Sequence, residues 1–268
     1  CGPAGIGAVS ELLKQGCAVT VFEMNDKIGG ALNLIPEERL PREVINADWQ
    51  QLAENPNLEL KLNEHICDYT LLLEQGFSGV VVAIGEQNCR TLKIEGEALS
   101  LSYVEYLSNP EKYQTNGNVA IVGGGEVALD CALTAKKLGG NVEMFVRRRL
   151  SDMRMPLDDY ADLIENEINV TTMTRVTRIE AQTSDLLTAF TVKTRFNAEG
   201  KLEDIPATEV ARPDFSLIIL ALGSKCEENL SENERIVYAG DCLNGGSTAV
   251  EAVASGKEAA QKLWAEII

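Results

Sequence analysis

Asn118-Val119-Ala120-Ile121-Val122-Gly123-Gly124-Gly125-Glu126-Val127-Ala128 is the stretch on which the fold turns. An apolar strand runs into three glycines, then into a helical pattern reaching about Leu138, then into a second apolar strand, Asn141 to Arg147. That order is one strand–loop–helix–strand unit of a doubly wound parallel sheet. In the G-x-G-x-x-G/A pattern Gly123 permits the tight turn, Gly125 lets a pyrophosphate approach the backbone, and Ala128 allows close helix–strand packing. The free amides and the positive end of the helix then face the phosphates. A plain glycine turn joining strand to helix is the competing reading, and the flanking pattern argues against it.

In such a unit the end of the second strand meets the adenosine ribose, where an acidic residue reads the 2′-hydroxyl of NAD. Here stand Arg147-Arg148-Arg149. Arginine forks suit a 2′-phosphate, so the expected ligand is NADP(H), with Arg154 close enough in sequence to join them. The alternative is a solvated basic run, which sits poorly in a chain otherwise so acidic.

The chain opens on Cys1-Gly2-Pro3-Ala4-Gly5, which fits positions two to six of a second G-x-G-x-x-G. At the end of the next strand, Ala18 to Glu23, stands Glu23, an acceptor for an adenosine ribose. Two loops with opposite ribose readers imply two different dinucleotides. Gly240-Asp241 follows a short strand, and Gly245-Gly246-Ser247-Thr248-Ala249-Val250 opens the last helix. That aspartate can meet a ribityl hydroxyl, and the helix amides a flavin carbonyl edge. A turn aspartate capping a helix explains the same residues.

Between these motifs, helices are expected at Gly5 to Gln15 and Arg42 to Glu54, and strands at Leu58 to Leu62 and Val80 to Ile84. Threonines and β-branched residues between Val170 and Arg195 predict antiparallel hairpin strands, and a buried run follows at Leu217 to Leu222. The expected class is therefore α/β: two Rossmann-like dinucleotide-binding domains, with the NADP domain inserted into the FAD domain. The expected boundaries are 1–95 for the first part of the FAD domain, 96–117 for a connection, 118–225 for the NADP(H) domain, and 226–268 for the returning FAD part.

Composition agrees with this class. At 268 residues, 45% hydrophobic with 22 glycines, the chain has length for two α/β cores. A net charge of −17 repels nucleic acid and anionic membranes, so neither is an expected partner. No apolar run reaches the roughly 18 residues of a membrane span and no signal-peptide pattern appears, so a cytoplasmic location is expected. Seven cysteines without a C-x-x-C pair give no redox or cluster motif, and suit a reducing compartment.

With these pieces in order, the chain resembles the FAD/NADPH module of the glutamate synthase small subunit and the matching module of dihydropyrimidine dehydrogenase, within the pyridine nucleotide-disulfide oxidoreductase family. The resemblance spans essentially the whole chain. It rests on Gly2-Pro3-Ala4-Gly5, Val21-Phe22-Glu23 with Gly29-Gly30, Ile35-Pro36 with Arg39-Leu40-Pro41, Val119 to Ala128 with Asp130, Arg147-Arg148, Met155-Pro156, Ala221-Leu222-Gly223 and Ala239-Gly240-Asp241. It implies that Gly2, Pro3, Ala4, Glu23, Gly30, Arg39, Asp241, Thr248, Ala249 and Val250 contact FAD, and Cys1, Ile66, Gly85 and Gly240 complete that set. It places Gly123, Gly124, Gly125, Glu126, Val127, Arg147, Arg148, Arg154 and the Ala221-Leu222-Gly223 turn near NADPH. Two positions depart from the family pattern: Glu126 stands where Asn or Asp is usual, and Ile84 where Thr is common.

The resemblance implies a flavoprotein oxidoreductase in which NADPH gives a hydride to FAD, the protein supplying orientation and electrostatics, so no general acid or base is nominated. Electrons would pass on to an iron–sulfur centre in a partner subunit or a further domain. His65, the only histidine, is expected at a strand end as an ordinary polar residue. Two other readings stay open: a nucleotide-binding module without turnover, and an enzyme like the disulfide reductases that lacks their cysteine pair. Because the first loop opens at Cys1, the FAD half is expected to be the weaker, holding little flavin unless the chain is extended upstream.

Overall fold

The computed structural model describes residues 1–153, 155–227 and 233–268, so Arg154, expected near NADPH, lies outside the described residues. The chain forms two compact units, Cys1–Asn88 with Ser224–Ile268, and Cys89–Gly223 between them in sequence. Both are α/β with parallel strands, as the motif order predicts.

In the first unit the helix Pro3–Lys14 starts on Gly2 with proline in its first turn, where a missing N–H costs nothing. The strands Val19–Glu23 and Leu58–Leu62 pair in parallel, Val21 opposite Leu60. Val80–Val82 pairs in parallel with Ile236–Tyr238, Val81 opposite Val237. The expected strand at Val80 to Ile84 ends at Val82. Val9, Val21 and Trp49 form one core, and Ala4, Val237, Ala239, Ala252, Ala259 and Leu263 another. Helix Pro3–Lys14 lies directly on the last helix, Ala249–Ile267: a Cβ on Gly256 would collide with the Ala4 carbonyl, and one on Gly7 with the Val253 carbonyl.

The second unit is built on an eight-stranded sheet. Val210–Leu220, Asn118–Val122, Asn141–Val146 and Asn169–Thr172 lie side by side, the last three pairing in parallel. The long strand Val210–Leu220 changes role along its length: its first half pairs antiparallel with Leu187–Phe196, and its second half, from Phe215, parallel with Asn118–Val122. Sequence reading catches only the buried second half. Val119, Ala120 and Ile121 are fully buried, which is why this segment reads as a continuous apolar run.

Other expectations change as well. The segment from Val170 was expected to be hairpin strands throughout, yet Asn169–Thr172 extends the parallel sheet and only Thr174–Ala181 with Leu187–Phe196 form the hairpin. Met173 makes the break: its φ of 49° ends one strand, while its N–H donates to the Arg148 carbonyl (3.1 Å) and its carbonyl accepts from Thr194 N–H (2.8 Å). The first crossing between units falls at Asn88–Cys89, ahead of residue 95, and the second at Gly223–Ser224. Residues 96–117, expected as a connection, belong to the body of the second unit. Ile179 N–H donates to the Glu95 carbonyl (2.9 Å), and Leu101–Ser102 adds a short parallel strand to Val210–Leu220.

Candidate dinucleotide sites

In the Cys89–Gly223 unit the expected loop residues come together. Gly123 leaves the strand Asn118–Val122 with its N–H on the Phe145 carbonyl (3.2 Å), and a Cβ there would strike the Ala221 carbonyl. Ala221 in turn donates to Val122 O (2.9 Å), so the Ala221-Leu222-Gly223 turn lies beside the glycine loop. A Cβ on Gly124 would stand 2.8 Å from Val146 Cγ1 and 3.3 Å from Met153 Cγ. Helix Glu126–Lys137, whose first two residues are Glu126 and Val127, starts from an extended Gly125 with no side chain capping it. A glycine start without a side-chain cap is the arrangement that suits an anion at a helix N-terminus.

The three arginines divide. Arg149 is occupied: Nε and Nη2 grip the Asp152 carboxylate at 3.0 and 3.1 Å, and its guanidinium lies 4.8 Å from the Phe196 ring centre. The hydrogen bonds from Arg149 hold the Asp152 carboxyl below the usual range. Arg147 and Arg148 are fixed by backbone instead, through Thr194 Oγ1 to the Arg147 carbonyl (2.7 Å) and Met173 N–H to the Arg148 carbonyl. Arg147 is exposed and Arg148 half-buried at the end of Asn141–Val146. Sequence reasoning did not separate these roles, although the i,i+3 spacing of Arg149 and Asp152 was available to it.

In the other unit, helix Pro3–Lys14 likewise starts on a glycine without a side-chain cap and without an acidic residue in its first turn. Glu23 is 4% exposed and sits beside this start. Its Oε1 accepts from Asn25 N and Nδ2 at 2.8 and 2.7 Å, and its Oε2 meets the Cys1 nitrogen. Gly29 N–H donates to the Cys1 carbonyl (2.8 Å), bringing Gly30 against Gly2. Gly240, at φ 72°, packs on the same helix start, where a Cβ would stand 2.7 Å from Ala4 Cβ. Cys1, Gly2, Pro3, Ala4, Glu23, Gly30 and Gly240 therefore form one cluster.

The remaining expected contacts are more dispersed. Asp241 Oδ1 accepts from Ser247 Oγ (2.5 Å), and Thr248 and Glu251 cap each other at the start of Ala249–Ile267. The Thr248 backbone and hydroxyl hold the Glu251 carboxyl below its ordinary range. That helix start is self-capped, unlike the two glycine-started ones, which favours the capping reading of these residues over an open amide site. Val250 is 79% exposed, and Arg39 is on the surface. Ile66 lines a cavity of about 280 Å³ with His65, Cys67 and Ile84, next to Gly85, whose φ is 68°. His65 is exposed, its Nδ1 3.6 Å from Cys67 Sγ. Among the described residues no helix is long and apolar enough to cross a membrane, and no cluster of His, Cys, Asp and Glu is arranged to hold a metal.

A glycine loop leading into a helix with no side-chain cap, present in both units and preceded in the second by the strand Asn118–Val122, defines a protein of the two-dinucleotide α/β class. The chain belongs to the pyridine nucleotide-disulphide oxidoreductase family, whose model matches residues 1–256. It is 29% identical over 280 residues to the NAD-dependent dihydropyrimidine dehydrogenase subunit PreT of Escherichia coli K12, covering 98% of this chain and 66% of that protein. It is 26% identical over 325 residues to the glutamate synthase [NADPH] small chain of Bacillus subtilis, covering 98% and 65%. The chain thus spans about two thirds of the length of these relatives. Among solved structures, FprA of Mycobacterium tuberculosis in complex with NADPH matches with a TM-score of 0.77 at 15% identity, over 99% of this chain and 83% of that one.

Proposed function

We propose that the unit formed by Cys1–Asn88 and Ser224–Ile268 holds FAD, that Cys89–Gly223 holds NADP(H), and that the protein is an NADPH-dependent flavoprotein oxidoreductase module. One observation carries the reading: the same loop-and-helix device occurs twice, with the buried carboxylate Glu23 at one ribose position and the cations Arg147 and Arg148 at the other. A carboxylate suits the free hydroxyls of an FAD ribose and repels a phosphate; two arginines attract a 2′-phosphate. The relatives' names point both ways, one NAD-dependent and one using NADPH, and the arginine pair favours NADPH here.

The residues present fit both groups. Gly2 and Gly125 begin helices without side-chain caps, and no Cβ could be accommodated at Gly30 or Gly123 without displacing backbone. Bound FAD supplies the hydride acceptor. The chain's part is to bind and orient: helix amides take the pyrophosphates, Glu23 and the arginines set each adenosine, and the Ala221-Leu222-Gly223 turn borders the NADPH loop. Electrons would then leave for an iron–sulfur centre on a partner or further domain, as the resemblance to subunits of larger oxidoreductases suggests. Calorimetric titration with FAD, NADPH and NADH tests the assignment. Saturable FAD binding with NADPH bound at least tenfold more tightly than NADH supports it; equal binding of the two nicotinamide dinucleotides contradicts the arginine assignment.

A further inference from the structure

The turn that presses on the first phosphate loop is held from behind by a residue outside every expected contact set. Arg42 begins the helix Arg42–Ala53, and its guanidinium reaches back over the preceding turn. Nη1 donates to the Leu32 carbonyl at 2.8 Å, and Nη2 donates to the Asn33 and Ile35 carbonyls at 3.0 and 2.5 Å. All three acceptors belong to the 3₁₀ turn Gly30–Leu34 or its terminal residue Ile35. The opposite side of that turn touches the phosphate loop: Gly29 N–H is bonded to the Cys1 carbonyl, and a Cβ on Gly30 would stand 2.8 Å from Gly2 Cα. Asn33 Nδ2 closes the turn internally on the Ile28 carbonyl (2.8 Å).

We infer that Arg42 is a positioning residue for the FAD site: it fixes the Gly29–Ile35 turn against the phosphate loop and so sets how closely the backbone at Gly2 and Gly30 approaches the ligand. This rests on the FAD reading given above. The base of the device is rigid, because Ile45 and Trp49 bury the same helix in the unit's core, Trp49 alongside Val9 and Val21. The geometry calls for arginine. Three carbonyls are met by one planar fork with charge-assisted donors, whereas a lysine ammonium keeps the charge on a flexible stem without the fork. Arg42 meets this turn through the backbone carbonyls of Leu32, Asn33 and Ile35, so its effect on the ligand is transmitted through Gly29 and Gly30.

Two measurements on the full chain and on its Arg42→Gln and Arg42→Lys variants decide the matter. The first is amide hydrogen exchange without ligand. Arg42→Gln is expected to speed exchange at least tenfold across residues 28–35, with Arg42→Lys intermediate and the helix Glu126–Lys137 unchanged; unchanged exchange in 28–35 overturns the clamp. The second is FAD titration by flavin fluorescence, with NADPH titration of the same samples as a check on the other unit. At least a tenfold loss of FAD affinity in Arg42→Gln with NADPH affinity preserved is expected. A loosened turn with FAD affinity intact overturns the positioning role. If the unsubstituted chain takes up no FAD even at high flavin concentration, the FAD reading fails instead, and the exchange result still judges the clamp.

Discussion

Gly30 sits so close to Gly2 that a methyl group on it would stand 2.8 Å from the Gly2 Cα, although 27 residues separate them in the chain. Gly30 also has φ 53°, a conformation that costs an L side chain energy. Strain and collision therefore act together. Gly30→Ala is expected to cost about 1–3 kcal/mol, seen as a fall of several degrees in the melting of its unit, and to weaken FAD binding. Gly200, at φ 73° with open space around it, is the control: alanine there carries the strain without the collision and should leave FAD affinity unchanged.

The arginine run makes a graded prediction. Charge-assisted hydrogen bonds are worth about 1.5–3 kcal/mol each, less where solvent screens them. Arg147→Ala and Arg148→Ala should each weaken NADPH binding roughly tenfold and leave NADH binding nearly unchanged. Arg149→Ala should cost less, because that guanidinium is already committed to Asp152 and Phe196. Calorimetry with both dinucleotides on the three variants reads this directly.

Acid should weaken a tie in the sheet of the inserted unit. Arg175 grips Asp204 with two short bonds, 2.6 and 2.5 Å, and these hold the Asp204 carboxyl below its ordinary value of 3.8. A depressed carboxyl stabilises the fold fully above its unfolded value and loses that contribution as pH falls through the lower folded value. Both side chains are about 40% exposed, so the pair is worth at most about 1 kcal/mol. Thermal melts of the unsubstituted chain and of Asp204→Asn should differ by a small constant amount from pH 5 to 8, and converge as pH falls below 3.8.

How much was legible follows from how local each feature is. Asn118–Val122 and Leu58–Leu62 were read to the residue, because their burial pattern is written in consecutive side chains. The loop glycines are named in the sequence by their spacing alone, whereas what a Cβ would meet at Gly123 and Gly124, the Ala221 carbonyl and Val146, lies far along the chain. The break at Met173 was not, since it depends on backbone bonds to Arg148 and Thr194 that only the folded sheet supplies. Nor was the membership of residues 96–117, decided by Glu95 meeting Ile179 more than eighty residues on. Arg39 was named and Arg42 passed over because a family motif runs through the former, whereas the latter's three carbonyl partners are visible only in three dimensions.

Hydride transfer from NADPH to FAD is the central claim, and an anaerobic absorbance titration tests it most directly. The chain is held in saturating FAD of known concentration and mixed with NADPH under nitrogen, and the flavin band is followed. The account predicts that the band bleaches in proportion to NADPH added, to completion near one equivalent, and more slowly with NADH or in Arg147→Ala. A flavin that stays oxidised while NADPH binds would contradict it, and would leave a nucleotide-binding module in place of an oxidoreductase.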